Sequence, residues 1–416
     1  MQNAQWWDML YQLVRNCYRA AAARERFPID VQQAEFERTS REARGHRLTT
    51  RRRWVGTTIL AAAAGGVGCF VDTVGRPIGT VPFEGEGRSP LDTLTGDELD
   101  GRQFTDLSGL DSGHLVTPTA RFYIRTRASH LLDTSRPWSV RVGQQRISLE
   151  DLKSQAQPQG VHLMECAGNN RAASFGMIGV ALWDGVPLAP LLDRLSFDKS
   201  ARILVSGFDE YSAKPLTPSV PGASWIFSRQ DIDESRAFLA TAMNGQPLTP
   251  DHGAPVRLVL PGWYGCACSK WVNEIASVDG RAEPTSQMRE YAARTHQHGM
   301  PELARNYQPA TIDLAAMPVR VEKWRVGGKV QYKVIGIVWG GAQPAGKLLI
   351  RFGPEEPYVP VTHVNAVQDS WGLWTQNWTP TQPGTYRIGL RLADPSVRTR
   401  RLDEGFYVRQ VRIEEV

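Results

Sequence analysis

Gly160–Arg171 reads GVHLMECAGNNR. The apolar run Val161–Met164 predicts a strand, and the Gly- and Asn-rich residues after it predict the turn that ends it. Cys166 stands at the break, with Arg171 five residues on. On residue type alone the thiol has several readings. It could be a buried core residue, or a nucleophile partnered by His252 or His130. It could also be a metal ligand, its thiolate favoured by a nearby cation such as Arg171 and by the turn amides.

Around this segment, Arg121–Arg127 (RFYIRTR), Arg202–Asp209 (RILVSGFD) and Pro255–Gly262 (PVRLVLPG) also read as strands. Val186–Leu195 places Leu188, Leu191, Leu192 and Leu195 on one helical face. Four strands and one clear helix predict an α+β domain over residues 117–295. Residues 76–116, rich in Gly, Pro and acid, read as an extended linker, and 296–317 as a second one. From 318 to 416 the pattern changes to period-two alternation between Gly/Pro turns, as in Lys329–Gly341 and Thr385–Asp394. It predicts an immunoglobulin-like β-sandwich, without the cysteine pair of antibody domains, since no cysteine follows Cys268.

A chain of 416 residues is long enough for two domains. Its 38 glycines and 27 prolines fit many turns. The net charge of +5, mostly arginine, suits a small oxyanion better than a nucleic acid, for which no dense basic tract exists. Five scattered cysteines make no disulfide framework. No C-x-x-C-H occurs, so no c-type haem attaches to this chain, and Cys266-x-Cys268 reads as two buried thiols.

Thr49–Phe70, TTRRRWVGTTILAAAAGGVGCF, sets Arg51–Arg52 before a weakly apolar segment. It resembles a twin-arginine export signal within 47–75, and the other reading is a membrane anchor of that length. Ahead of it, Trp6, Met9, Leu10, Leu13, Val14, Cys17 and Tyr18 recur at helical spacing, in a leader over 1–46.

Asp251–Trp271, DHGAPVRLVLPGWYGCACSKW, gathers His252, Arg257 and Lys270 about a strand and a Gly-rich turn. Three cations in apolar context call for an anion among them, and a phosphate is the natural guest.

These motifs together carry a resemblance. CAGN followed by arginine, the run NGQPLTPDHGAPVRLVLPG (Asn244–Gly262) and Lys270–Trp271 look like the sulfite oxidase family of molybdopterin enzymes, from about Thr117 to the C-terminus. The resemblance implies one molybdopterin-bound molybdenum per subunit, oxygen-atom transfer to sulfite or a related sulfur oxyanion, and a dimerising sandwich. The electron acceptor would be a separate partner such as a c-type cytochrome. The folded export that a twin-arginine signal serves agrees, because this cofactor is inserted in the cytoplasm. Cys166 matches the family's metal ligand. Arg125, Arg171 and Tyr291 match its substrate-site residues. Tyr123, Ile124, Arg125, Thr126, Arg127, Asp209, His252, Arg257, Cys268, Ser269 and Lys270 match its cofactor contacts, and Arg401 is a candidate for a third arginine from the C-terminal domain. The chain departs from the pattern at Asn170, at Thr126–Arg127, at Phe175 and at Ala267. The altered pocket leaves a second expectation open, a sulfoxide or N-oxide reductase of the same fold. A third is a secreted binding module without metal.

Overall fold

The computed structural model describes residues 75–416, apart from 88, 97–99, 129–130, 209–223, 342–346, 366–369 and 398. The leader, the export segment up to residue 74, His130 and Asp209 lie outside the described residues. Among those described, no helix is long and apolar enough to cross a membrane.

The first part of the fold is built on two sheets. One orders its strands as Ser224–Phe227, Arg202–Gly207, Val272–Val278, Ser139–Val142 and Gln145–Ser148. It is mixed, because Val272–Val278 runs parallel to Ser139–Val142. The other orders Gln246–Pro247, Phe238–Met243, Ile178–Pro187 and Gln157–Glu165, with Arg257–Val259 also paired to Phe238–Met243. Helix Leu188–Arg194 forms where expected and buries Leu188, Leu191 and Leu192. Fully buried Trp183, Phe227, Phe238 and Ile275 belong to the core cluster of this region. The predicted strand at Arg121–Arg127 shrinks to Ile124–Arg125, paired with Arg102–Gln103. Phe122 instead turns its ring inward against Tyr123, Trp183 and His252.

The second part is a β-sandwich of two five-stranded sheets. Strands Ala315–Val326, Lys329–Trp339 and Gly372–Trp378 pair in an antiparallel run. Leu348–Arg351, Gly384–Leu392 and Arg409–Ile413 form the facing sheet. Val321, Val334, Ile350, Trp374, Ile388 and Val411 are fully buried between them. This follows the alternation of the sequence, whose inward residues are β-branched or aromatic.

The expected linker 76–116 is corrected at its start. Arg76–Val81 is an edge strand on Ala315–Val326, and Phe83–Glu84 pairs with Arg409–Ile413 on the opposite sheet. The sequence disguises the first of these with Pro77 and a register shift between Pro77 and Gly79, features an edge strand tolerates.

Candidate active site

Strand Gln157–Glu165 delivers Cys166 into a tight turn. The amide of Cys166 donates to Met177 O at 2.9 Å, that of Asn169 to Cys166 O at 2.9 Å, and that of Gly168 to Cys166 Sγ at 3.4 Å. Asn170 caps the next turn, its Oδ1 accepting from the Ala173 amide while its Nδ2 donates to Gly168 O at 2.8 Å. Burial pushes the Cys166 thiol up, against the pull of the Gly168 N–H and the charges of Arg125 and Arg294.

Beneath the turn lies a buried carboxylate. Glu165 accepts from Trp339 Nε1 at 2.9 Å, Tyr407 OH at 2.9 Å, Asn169 Nδ2 at 3.3 Å and Arg401 Nη1 at 3.4 Å. Trp339, Arg401 and Tyr407 all come from the C-terminal part. Arg401 Nη2 also donates to Ala167 O at 2.8 Å and Arg294 O at 3.4 Å. Removing the charge from a buried pair of this kind costs about 3–5 kcal/mol, since its partner is left uncompensated. Arg401 therefore reaches the backbone under the turn, but its charge is spent on Glu165 and holds the turn.

Three side chains surround the thiol. Arg125 acts on Cys166, Tyr291 and Lys270. Helix Ser286–Tyr291, capped by Thr285, brings Tyr291 close enough to Cys166 for the two to interact electrostatically. Burial first, then Cys166, raises the Tyr291 hydroxyl well above its usual range, so it is a neutral hydrogen-bond donor at ordinary pH. Arg294 lies over the Tyr291 ring at 5.5 Å. A Cβ placed on Gly168 would stand 3.2 Å from Arg294 Nη1 and 3.7 Å from Cys166 Sγ.

A second group packs behind. Arg257 is 3% exposed and has no carboxylate partner among the described residues. Its guanidinium donates to His252 O at 3.0 Å and Cys268 O at 3.3 Å and lies over the Trp183 ring at 5.6 Å, leaving Nε unpaired. Lys270 Nζ donates to Thr126 Oγ1 at 2.8 Å and Arg125 O at 3.3 Å, and also to Asp251 O. Burial and then Arg257 bring its pKa down to about 7. His252 Nε2 lies 3.4 Å from the Phe122 carbonyl, which can only accept, so Nδ1 is the acceptor for Thr249 Oγ1 at 2.7 Å. Burial, then Lys270 and Arg257, bring this imidazole down to about 3, so it is neutral and positions the loop. Ser269 Oγ and Asp251 Oδ1 are buried without partners. Unpaired donors and an uncompensated guanidinium in one place are costly unless a polar anionic group completes them.

The description "Oxidoreductase molybdopterin binding domain" matches residues 129–285 of this chain. Mitochondrial sulfite oxidase of Drosophila melanogaster is 22% identical over 355 residues, 74% of this chain and 57% of that protein. The mouse (Mus musculus) enzyme is 31% identical over 160 residues, 35% of this chain and 29% of that protein. The chain carries a molybdopterin-binding oxidoreductase domain and is similar over part of its length to sulfite oxidases. The matches span 57% or less of these curated relatives' own length. The crystal structure of the sulfane dehydrogenase SoxCD from Paracoccus pantotrophus shares the fold, with TM-score 0.55 and 16% identity over 81% of this chain and 86% of that one.

The residues present fit the pterin cofactor of the sulfite oxidase family. Arg257 Nε and Ser269 Oγ offer unpaired donors to an anion, Lys270 adds a buried amine whose charged form an anion would favour, and Asp251 Oδ1 offers an acceptor. Cys166 offers a soft ligand. No three His, Cys, Asp or Glu side chains of the described residues come together to hold a metal.

Placement of the remaining family positions is uneven. Thr126 is buried and donates to Asp251 O at 3.0 Å. Tyr123 is buried with its hydroxyl toward Gly265, where a Cβ would stand 2.9 Å away. Ile124 is buried, and the charge of Arg127 acts on Arg102. Cys268 contributes its carbonyl to Arg257 and its sulfur to the Leu260 amide. Cys266 and Cys268 are free, buried thiols, as read from the sequence. Arg171 is drawn elsewhere: it donates to Val408 O and lies 5.9 Å from the Phe175 ring. The cations that act most on Cys166 are Arg125 and Arg294. Nothing local in the sequence marks Arg294 beyond its i, i+3 spacing from Tyr291.

Proposed function

We propose that the protein is a molybdopterin-dependent oxidoreductase that oxidises sulfite or a related sulfur oxyanion by oxygen-atom transfer. The observation that carries the reading is the juxtaposition of Cys166, Arg125 and Tyr291 with the buried cations Arg257 and Lys270, beside the unpaired Arg257 Nε and Ser269 Oγ. When bound, the cofactor supplies the two-electron chemistry and the transferable oxygen. The chain's own work is positioning. Arg257, Lys270 and Ser269 hold the anionic part of the pterin. Cys166 supplies the thiolate, assisted by the Gly168 N–H. Arg125 draws in the substrate's negative charge, and the neutral Tyr291 hydroxyl donates a hydrogen bond to a substrate oxygen.

Electrons leave to a separate acceptor, a c-type cytochrome being the partner of suitable chemistry. We also propose export through the twin-arginine segment and a homodimer formed by residues 318–416. A monomeric mass in light scattering at micromolar concentration would count against the dimer. The central test is metal content in protein made by a pterin-producing host. Wild type should hold about one molybdenum per chain and reduce ferricyanide with sulfite, and Cys166→Ser should lose both. No molybdenum in wild type would favour a binding module. Full molybdenum with turnover of methionine sulfoxide from a reduced dye, and none of sulfite, would favour the reductase.

A further inference from the structure

We propose that Arg294 holds the substrate oxyanion beside Cys166, a task that the family pattern gives to Arg171. The inference deepens the molybdopterin reading above and rests on it for the identity of the reaction, though not for the binding of the anion.

Three observations carry it. First, position: the space where a Gly168 Cβ would sit is bounded by Arg294 Nη1 at 3.2 Å and Cys166 Sγ at 3.7 Å. The guanidinium and the thiol thus border the same space. Second, availability: Arg294 is exposed, its guanidinium lies on the Tyr291 ring, and among the described residues it meets no carboxylate or carbonyl. Arg171, by contrast, already donates to Val408 O, and its own carbonyl accepts from the Gly87 amide at 3.1 Å. An arginine with its fork unused can receive two oxygens of an oxyanion side by side. Third, fixation: Arg401 Nη2 donates both to Ala167 O at 2.8 Å and to Arg294 O at 3.4 Å. Arg400 adds a contact to Arg294 O, also at 3.4 Å. One buried guanidinium therefore ties the Cys166 turn to the backbone of Arg294. With Arg125 also near the thiol, two cations and the Tyr291 hydroxyl surround a site for a small, doubly charged, oxygen-rich anion. Glycine at 168 keeps the space clear.

The test uses protein purified from a pterin-producing host, with inorganic sulfate as an unreactive probe. Sulfate affinity is measured by calorimetry and sulfite KM by turnover, alongside molybdenum content and thermal midpoint. Arg294→Gln should weaken sulfate and raise sulfite KM about tenfold, the size of one charge-assisted hydrogen bond, with molybdenum content and thermal midpoint unchanged. Arg294→Lys should recover part of the loss. Arg171→Gln should leave sulfate affinity within about twofold while lowering the thermal midpoint, as loss of a structural contact would. Gly168→Ala should weaken sulfate by filling the space. Unchanged sulfate affinity in Arg294→Gln, or an equal loss in Arg171→Gln, overturns the inference. Wild type without molybdenum would overturn the molybdopterin reading instead, and the calorimetric comparison would still decide the role of Arg294.

Discussion

Neutral His252 gives the cofactor loop a measurable signature. Its pKa is about 3 in the folded protein, against an ordinary value of 6.5, because burial, Lys270 and Arg257 all oppose the charged form. Between these two values the unfolded chain holds the proton and the folded chain does not. Stability is then fully present above pH 6.5 and falls as the pH drops toward 3, by on the order of 5 kcal/mol over the whole window. Urea midpoints of the cofactor-free protein between pH 4 and 7 should fall steeply with acid in wild type, and less so in His252→Gln. Parallel curves would contradict the assigned burial. At this scale the sequence was informative where chemistry is local. Cys166 at a strand end, and Arg257 and Lys270 among apolar neighbours, stood out because such residues rarely occupy such places without a partner. Arg294 and Glu165 did not, because what defines them is contact with residues far along the chain. Arg294 meets the Cys166 turn only through folding, and Glu165 finds its donors in Trp339, Arg401 and Tyr407.

Among the elements, the strands legible in advance were those with one face in the core. The first half of Lys329–Trp339 alternates between buried and partly exposed residues, as a sandwich strand should. Phe238–Met243 and the first four residues of Ile178–Pro187 are harder to read, since their buried residues follow one another without alternation. Short strands are poorly bounded for a different reason: Ile124–Arg125 is too short to display a period, and the apolar run around it stretches the reading to Arg121–Arg127. One glycine in the sandwich has a purpose that only packing reveals. At Gly336 a Cβ would lie 2.1 Å from Trp374 Cζ2. The Trp374 indole is fully buried and donates to Ile337 O at 3.0 Å, so it cannot retreat without losing that bond. Gly336→Ala should destabilise by about 3 kcal/mol, the upper end of an overpacking cost. Adding Trp374→Leu should recover part of it in urea denaturation. A glycine-to-alanine change tolerated without loss would mean that the paired strands Lys329–Trp339 and Gly372–Trp378 give way more easily than their packing implies.

Across the whole described chain, its early and late segments are interlocked. Arg76–Val81 and Phe83–Glu84 complete opposite sheets of a sandwich otherwise built from residues after 314. Between them and the domain that carries Cys166 stands a buried ion pair: Arg409 Nε donates to Glu86 Oε1 at 2.6 Å, and a second bond joins Nη2 to Oε2. Arg409 also donates to Pro318 O at 2.9 Å and lies over the Phe83 ring at 3.7 Å. Both side chains are less than a tenth exposed. Composition hid this arrangement, because a Gly- and acid-rich segment reads as solvated linker unless a carboxylate in it is known to have a buried partner. Replacing Glu86 by Ala should cost about 3–5 kcal/mol, since it strands a desolvated guanidinium. Replacing Arg409 by Met as well should cost less than Glu86→Ala alone, because the stranded charge is then gone. Urea midpoints of the two single variants and the double variant measure this coupling directly. Additive losses would show that the pair adds nothing beyond its separate contacts, and that the early strands are held by backbone pairing alone.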